Sequence, residues 1–284
     1  MRPAGIGSSD APEVLGLGYK GRYRLWAEKT GLVPEEDLSD NENVQLGLLF
    51  QDAIGKGYAL RTGKQVVPAD MVYHASGNDW QFASPDFLVV DSDKPVGLLE
   101  VKLHSLQEAG RHPPDEPFLR DVVQVQHQLA VCGFEMGAIA YVLDGRGRRL
   151  VHWDVPADPV FQDAMTEAEA NFWHLVTTNT PPDVDGKEST TKALNRLYSQ
   201  SGNTLVRIDD DAAVRWDLGR QEAKAVIARQ EEYLREAENW LKSQIGDNEG
   251  VLLPNGVRYT WKSQHVREYV VAARDQRVLR RFEK

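Results

Sequence analysis

The chain has 284 residues and a formal net charge of −10 at pH 7, with a single cysteine, Cys132. Such a length buries a sizeable core, as one large domain plus an extension or as two domains. One cysteine excludes a disulfide framework and a cysteine-based zinc site, and the acidic balance excludes a protein coated in basic surface, so that any contact with nucleic acid must be local.

In chain order, residues 10–16 and 21–31 read as short helices around a glycine-containing turn. The second lies in GYKGRYRLWAEK, where Lys20, Arg22, Arg24 and Lys29 alternate with aromatic residues. Such a cluster is either a solvated helix face or a local DNA contact, and the tail with Arg274, Arg277, Arg280, Arg281 and Lys284 is open to the same two readings. No apolar N-terminal stretch is long enough for a signal or a membrane span, so a soluble, cytoplasmic protein is expected. Residues 42–61 read as a longer helix that places Val44, Leu48 and Gln51 on one side.

After Pro85 and Asp86, the run Phe87 to Val90 fits a buried strand, and DSDKP turns the chain. From Gly97 to Ser105 the pattern alternates: Leu99, Val101 and Leu103 face one way, and Glu100, Lys102 and His104 the other. Asp86 reaches Glu100 and Lys102 only through a bend. If the three meet, two carboxylates form a hard-oxygen site for Mg²⁺ or Mn²⁺, beside a lysine able to orient or deprotonate a water. If they do not, the charges belong to a solvated sheet face.

Residues 117–132 read as a helix whose buried stripe is Phe118, Val122, Val125, Leu129 and Cys132. Gln126 borders that stripe and is expected inward, with Gln124 and Gln128 away from it. A hairpin over 136–143 and 148–154 turns at DGRGR, and a helix over 158–177 turns Phe161, Met165, Ala168 and Phe172 inward. The segment TPPDVDGKEST marks a boundary, which divides a core over 1–182 from an extension over 183–284. In the extension, residues 209–245 form one long helix or two. Ala223, Ile227, Gln230, Leu234, Ala237 and Leu241 follow a heptad-like spacing, suited to packing on the protein's own domain or to an oligomer contact. A last hairpin turns at Asn255-Gly256.

SPD, thirteen residues and then EVK resembles the PD-(D/E)xK nuclease motif. GIGSSDAPEVLG, LWAEKTG, the TG at 62–63, QVQHQLAVCG and NFWHLV narrow the resemblance, in order, to the YqaJ-like viral recombinase group, relatives of phage lambda exonuclease, over residues 2–182. The resemblance implies an α/β fold, a central mixed sheet flanked by helices, here with a mostly helical C-terminal extension. It implies a metal-dependent exonuclease that digests double-stranded DNA from a 5′ end and leaves 3′ tails for a single-strand annealing protein. Asp86, Glu100 and the backbone carbonyl of Val101 would hold Mg²⁺ or Mn²⁺, two ions per site. Lys102 would activate the water with help from Gln126, and Ser9 and Arg2 would hold the 5′-phosphate.

Relatives form rings around DNA, so a homo-oligomer is expected. Two departures stand out: Leu103 and His104 follow the E-x-K where relatives carry threonine or cysteine and proline, and Gln51, four residues after Gly47, stands where the family has a metal-binding glutamate. An amide is a weaker ligand, which keeps open a catalytically lapsed DNA-binding or assembly subunit, beside a same-fold endonuclease or single-strand nuclease.

Overall fold

The computed structural model describes residues 5–104, 116–143, 149–202, 204–268, 273 and 277–282. The chain divides into two compact units, residues 1–199 and 200–284. In the first unit a short strand β1 (Ile6–Gly7) leads into helices α1 (Ala11–Val14), α2 (Arg22–Lys29) and α3 (Glu42–Thr62). Strands β2 (Gln65–Pro68), β3 (Tyr73–Ala75), β4 (Asn78–Ala83), β5 (Phe87–Asp91) and β6 (Lys94–His104) follow. Helix α4 (Leu119–Cys132), strands β7 (Met136–Leu143) and β8 (Arg149–Pro156), and helices α5 (Pro159–Thr177) and α6 (Glu188–Leu197) complete it. The strands over 65–83 and the helix over 188–197 carried too little periodicity to be read from the sequence; α6 buries Ala193 in the same apolar cluster as Trp26 and Phe172, so this unit runs beyond residue 182.

The central sheet has the order β2-β5-β6-β7-β8. β6 and β7 are parallel and the other neighbours antiparallel. A parallel pair needs a crossover, and α4 supplies it. Each face of the sheet is covered by a helix. α3 packs Ile54 and Tyr58 on Phe87, Leu99 and Val101, while α4 packs Val125 and Leu129 on Leu98, Ile139 and Tyr141. The alternation of β6 is therefore real, but its polar side lies under a helix and not in solvent. Glu100 and His104 are 3% and 5% exposed.

A second, three-stranded sheet, β1-β4-β3, stands beside the first, with Gly7 paired to Phe82 in parallel. Helix α3 ends at Gly63, whose φ of 71° is the left-handed cap that glycine adopts without strain. The cations of residues 20–29 are largely internal. Lys20 and Arg24 pair with Glu28, Lys29 pairs with Asp10, and Arg22 lies over the Phe172 ring.

The second unit is built on one uninterrupted helix, α7 (Asp211–Ile245), whose first turn is capped by the Asp210 carboxylate accepting from the Ala212 amide. Ile227, Leu234 and Trp240 on it are exposed. The hairpin of β9 (Gly250–Leu252) and β10 (Arg258–Thr260) turns through Gly256, and Arg281 pairs with Asp217.

Candidate active site

The register Phe87↔Leu99 places Asp86 one residue beyond the last β5–β6 pair, beside Glu100 and Val101. From there β6 runs on to His104 paired with β7 alone. The free edge of β6 is then open to Asp86, whose Oδ2 accepts the Val101 amide at 2.8 Å. The amide and carbonyl of one strand residue point to the same side, so the Val101 carbonyl lies on that edge too. The bend between Asp86 and β5 brings the expected residues together.

Gln51 arrives from α3. Gly55, one turn later, has no Cβ to collide with the Phe87 ring, which a Cβ would meet at 2.6 Å. This close approach carries Gln51 to Asp86, and its Nε2 donates to Oδ1 over 2.8 Å. The expectation that Gln51 faces the carboxylates from the helix is met in position.

Glu100 is the more enclosed of the two carboxylates. Its Oε1 accepts from Lys102 Nζ at 2.6 Å and from Gln124 Nε2 at 2.6 Å, and its Oε2 accepts from Gln128 Nε2 at 2.8 Å. Gln126 lies elsewhere: its Nε2 donates to the Pro156 carbonyl at 2.8 Å, while its Oε1 accepts from the Asp158 amide and Gln162. Gln126 is buried, as its spacing suggests, but the place beside Lys102 that the resemblance implies for it is corrected. Helix α4 is buried on more than one side, against the central sheet through Val125 and Leu129 and against α1 and α5 through Val123. Its apolar stripe marks the sheet side and not the side that meets Glu100. The signal that finds the right glutamines is polar: Asp121, Gln124 and Gln128 advance by three and four, one line along the helix.

Beyond Lys102 the polar face continues. His104 Nε2 lies 3.2 Å from Asp121 Oδ2, and the Tyr141 hydroxyl donates to the same oxygen at 2.5 Å. His104 is therefore a buried partner of Asp121 and not an edge histidine. Burial works against an ionised Asp121, but the His104 hydrogen bond, the Lys102 charge and the Tyr141 hydroxyl outweigh it and hold its carboxyl below the usual range. Burial also works against a charged Lys102, yet Glu100, Asp121 and Asp86 together raise it above the ordinary lysine value. Lys102 is a fixed cation here, suited to orienting a water or a phosphate oxygen and not to removing a proton.

Burial first, and the Glu100 charge second, push the Asp86 carboxyl up to about 7. Two facing carboxylates left partly unneutralised are what a divalent cation relieves. Among the described residues no cluster of three or more His, Cys, Asp or Glu forms. The oxygens gathered here belong to Asp86, Glu100, the Val101 carbonyl and the Gln51 amide, donors of the kind that Mg²⁺ or Mn²⁺ would accept.

A cleft of about 440 Å³ opens over these groups, lined by Ser8, Ser9, Ser84, Asp86, Glu100 and Gln124. Ser9 is exposed in it, whereas the Ser8 hydroxyl is buried without a partner among the described residues. Arg2 and Arg274 lie outside the described residues.

Residues 1–135 match the YqaJ-like viral recombinase domain. The uncharacterized protein YqaJ of Bacillus subtilis (strain 168) is 29% identical over 264 residues, 92% of this chain and 81% of that protein. Crystal structures of an alkaline exonuclease (LHK-Exo) from Laribacter hongkongensis, alone and in complex with dAMP, are similar at a TM-score of 0.53 and 18% identity. Each match covers 62% of this chain and 90% of that one, and shows a shared fold.

Proposed function

From residues 1–135 as a YqaJ-like viral recombinase domain on a PD-(D/E)xK fold, we propose that the protein is a Mg²⁺- or Mn²⁺-dependent exonuclease of duplex DNA. It digests the 5′-ended strand and leaves 3′ tails for strand annealing. The observation that carries this reading is the convergence of Asp86, Glu100 and Lys102 on one buried strand edge, with each carboxylate oxygen engaged by a donor. A solvated sheet face leaves its charges exposed; here Glu100 is buried under α4, and Asp86 and Lys102 are part-buried beside it.

Asp86, Glu100, the Val101 carbonyl and Gln51 would hold the metal. When bound, it supplies a Lewis acid for the phosphodiester and lowers the pKa of a bound water. Lys102, held as a cation, orients the water and meets the charge that grows on the phosphate. Gln124 and Gln128 hold the Glu100 carboxylate in one orientation, so no reorganisation is needed at the moment of reaction. Ser9, on the same cleft, contacts the 5′-phosphate together with Arg2, which sets the end in register. The exonuclease of the same fold has been crystallised with dAMP, a nucleoside monophosphate of the kind that end-digestion releases.

The test compares linear and covalently closed duplex DNA with and without Mg²⁺, using wild type and Lys102→Ala. The expected result is loss of linear DNA in wild type with Mg²⁺ only, intact circles, and a Lys102→Ala protein that binds ends without cutting them. Undiminished cutting by Lys102→Ala overturns the site; cutting of circles at the linear rate overturns end-digestion.

A further inference from the structure

A second cavity of about 340 Å³ adjoins the cleft and shares Ser9 and Gln124 with it. Lys102 and Asp121 form its inner wall, and Tyr19 and Arg120 its outer one. Tyr19 is 66% exposed, yet it is not a loosely held surface residue. The Arg120 guanidinium sits 4.3 Å from the centroid of its ring, and 4.4 Å from that of Phe118, so one cation lies against both aromatic rings.

The loop that carries Tyr19 is braced from two sides. Lys187, at the entry to α6, donates Nζ to the carbonyls of Gly16, Gly18 and Lys20 at 3.2, 2.5 and 3.1 Å. The Glu13 carboxyl accepts from the backbone amides of Lys20 and Tyr19. Gly18 permits this closure, since a Cβ there would lie 2.0 Å from Glu13 Oε2. Glu13 is 8% exposed and its Oε2 has no partner among the described residues; burial pushes the carboxyl up to about 7, which reduces the negative charge it brings to the pocket.

We propose that Tyr19 is the stacking platform for the nucleobase of the 5′-terminal nucleotide, with Arg120 fixing the ring from its protected face. This rests on the nuclease reading above. The argument is one of position. Ser9 borders both cavities, and in that reading it contacts the 5′-phosphate. The scissile phosphate lies over Asp86 and Glu100. The nucleoside between those two phosphates is the one released, and the adjoining cavity is the space on the page for its base. An exposed aromatic face accepts any base, because every base has a π face, which suits an enzyme that must digest all sequences. A cation against the opposite face, three hydrogen bonds from Lys187 and a carboxyl beneath the loop make the ring a rigid platform. An aromatic side chain exposed without function needs none of these.

The test is photocrosslinking of a 5′-phosphorylated duplex that carries 5-iodo-2′-deoxyuridine as its terminal nucleotide, mixed with the full chain in EDTA and mapped by mass spectrometry. Label on Tyr19, lost when the iodinated base is moved four nucleotides inward, is the expected result. In parallel, Tyr19→Ala raises KM for linear ends about tenfold with kcat little changed, whereas Tyr19→Phe retains the wild-type KM. A structural role for the ring would lower the thermal midpoint of Tyr19→Ala instead. If wild type digests ends while the label maps to another residue, or if Tyr19→Ala keeps the wild-type KM, the platform is overturned and the nuclease reading stands. If wild type neither cuts nor crosslinks to any end, both fall.

Discussion

Gln51 Nε2 donates to Asp86 Oδ1 over 2.8 Å, so that the residue on α3 bonds directly to a carboxylate of the proposed metal site. The amide does two things a carboxylate cannot: it donates a hydrogen bond, and it adds no charge beside a pair that already pushes Asp86 up to about 7. It is also the weaker ligand. Gln51→Glu is therefore expected to raise cleavage at limiting Mg²⁺, about tenfold for each ~1.4 kcal/mol recovered at the transition state. The same variant should lower the thermal midpoint in EDTA, where a third carboxylate has no cation to face. Unchanged Mg²⁺ dependence together with an unchanged midpoint would remove Gln51 from the metal site.

The glutamines of α4 divide by what they hold. Gln124 and Gln128 both donate to Glu100, while Gln126 ties the start of α5 to the end of β8. Gln124→Ala and Gln128→Ala should each reduce kcat by roughly 10 to 100-fold, since each removes a donor that orients a carboxylate of the proposed metal site, by analogy with the cost of losing outer-shell partners. Gln126→Ala should leave kcat near wild type and lower stability by ~1 kcal/mol. A loss of kcat in Gln126→Ala with none in Gln124→Ala would reverse the assignment.

That division also shows where sequence reasoning reaches and where it stops. The two sides of β6 were legible because strand alternation needs only the local pattern, and α3, α5 and α7 because each keeps a long helical period. The meeting of Asp86 with Glu100 was legible only as a condition: it depends on where β5 ends, and one residue of register decides it. The polar contacts of α4 do not follow from its apolar stripe, because that stripe marks one inward side, and a helix packed between a sheet and two other helices has several. The line Asp121-Gln124-Gln128 keeps a helical period that only its polar residues mark, whereas Glu13, Tyr19 and Lys187 meet through contacts between distant segments, which no periodicity encodes.

Asp86 gives a pH test that needs no turnover. Its folded pKa of about 7 stands above the ordinary 3.8, with burial and the Glu100 charge as causes. In the metal-free protein the folded state therefore keeps a proton that the unfolded state has lost, and stability falls as pH rises between about 4 and 7. Asp86→Asn should leave the midpoint near wild type at pH 4 and raise it by about 3 °C or more at pH 8 in EDTA. Mg²⁺ should then raise the midpoint of wild type at pH 8 and not that of Asp86→Asn. Equal responses to Mg²⁺ in both proteins would place the metal elsewhere.

The fully buried His127 supports the site from behind. Nδ1 faces Glu169 Oε1 at 2.8 Å and Nε2 faces the Phe82 carbonyl at 3.0 Å. With an acceptor at each nitrogen the ring is satisfied as the imidazolium. Burial opposes that charge, but Glu169 and the Phe82 carbonyl raise the pKa above its ordinary 6.5. A raised histidine contributes stability that is complete below the unfolded value and is lost as pH climbs through the folded one. Phe82 also pairs with Gly7, and its strand leads through Ser84 to Asp86, so this ion pair fixes the segment that presents the cleft. Glu169→Gln keeps the shape and removes the charge. The expected cost is roughly 3 kcal/mol at pH 6, because a buried cation loses its partner or its proton. The variant should then lose less stability than wild type between pH 6 and pH 9, since its histidine is already neutral. A Glu169→Gln midpoint that falls in parallel with wild type across that range would mean that His127 is neutral in both.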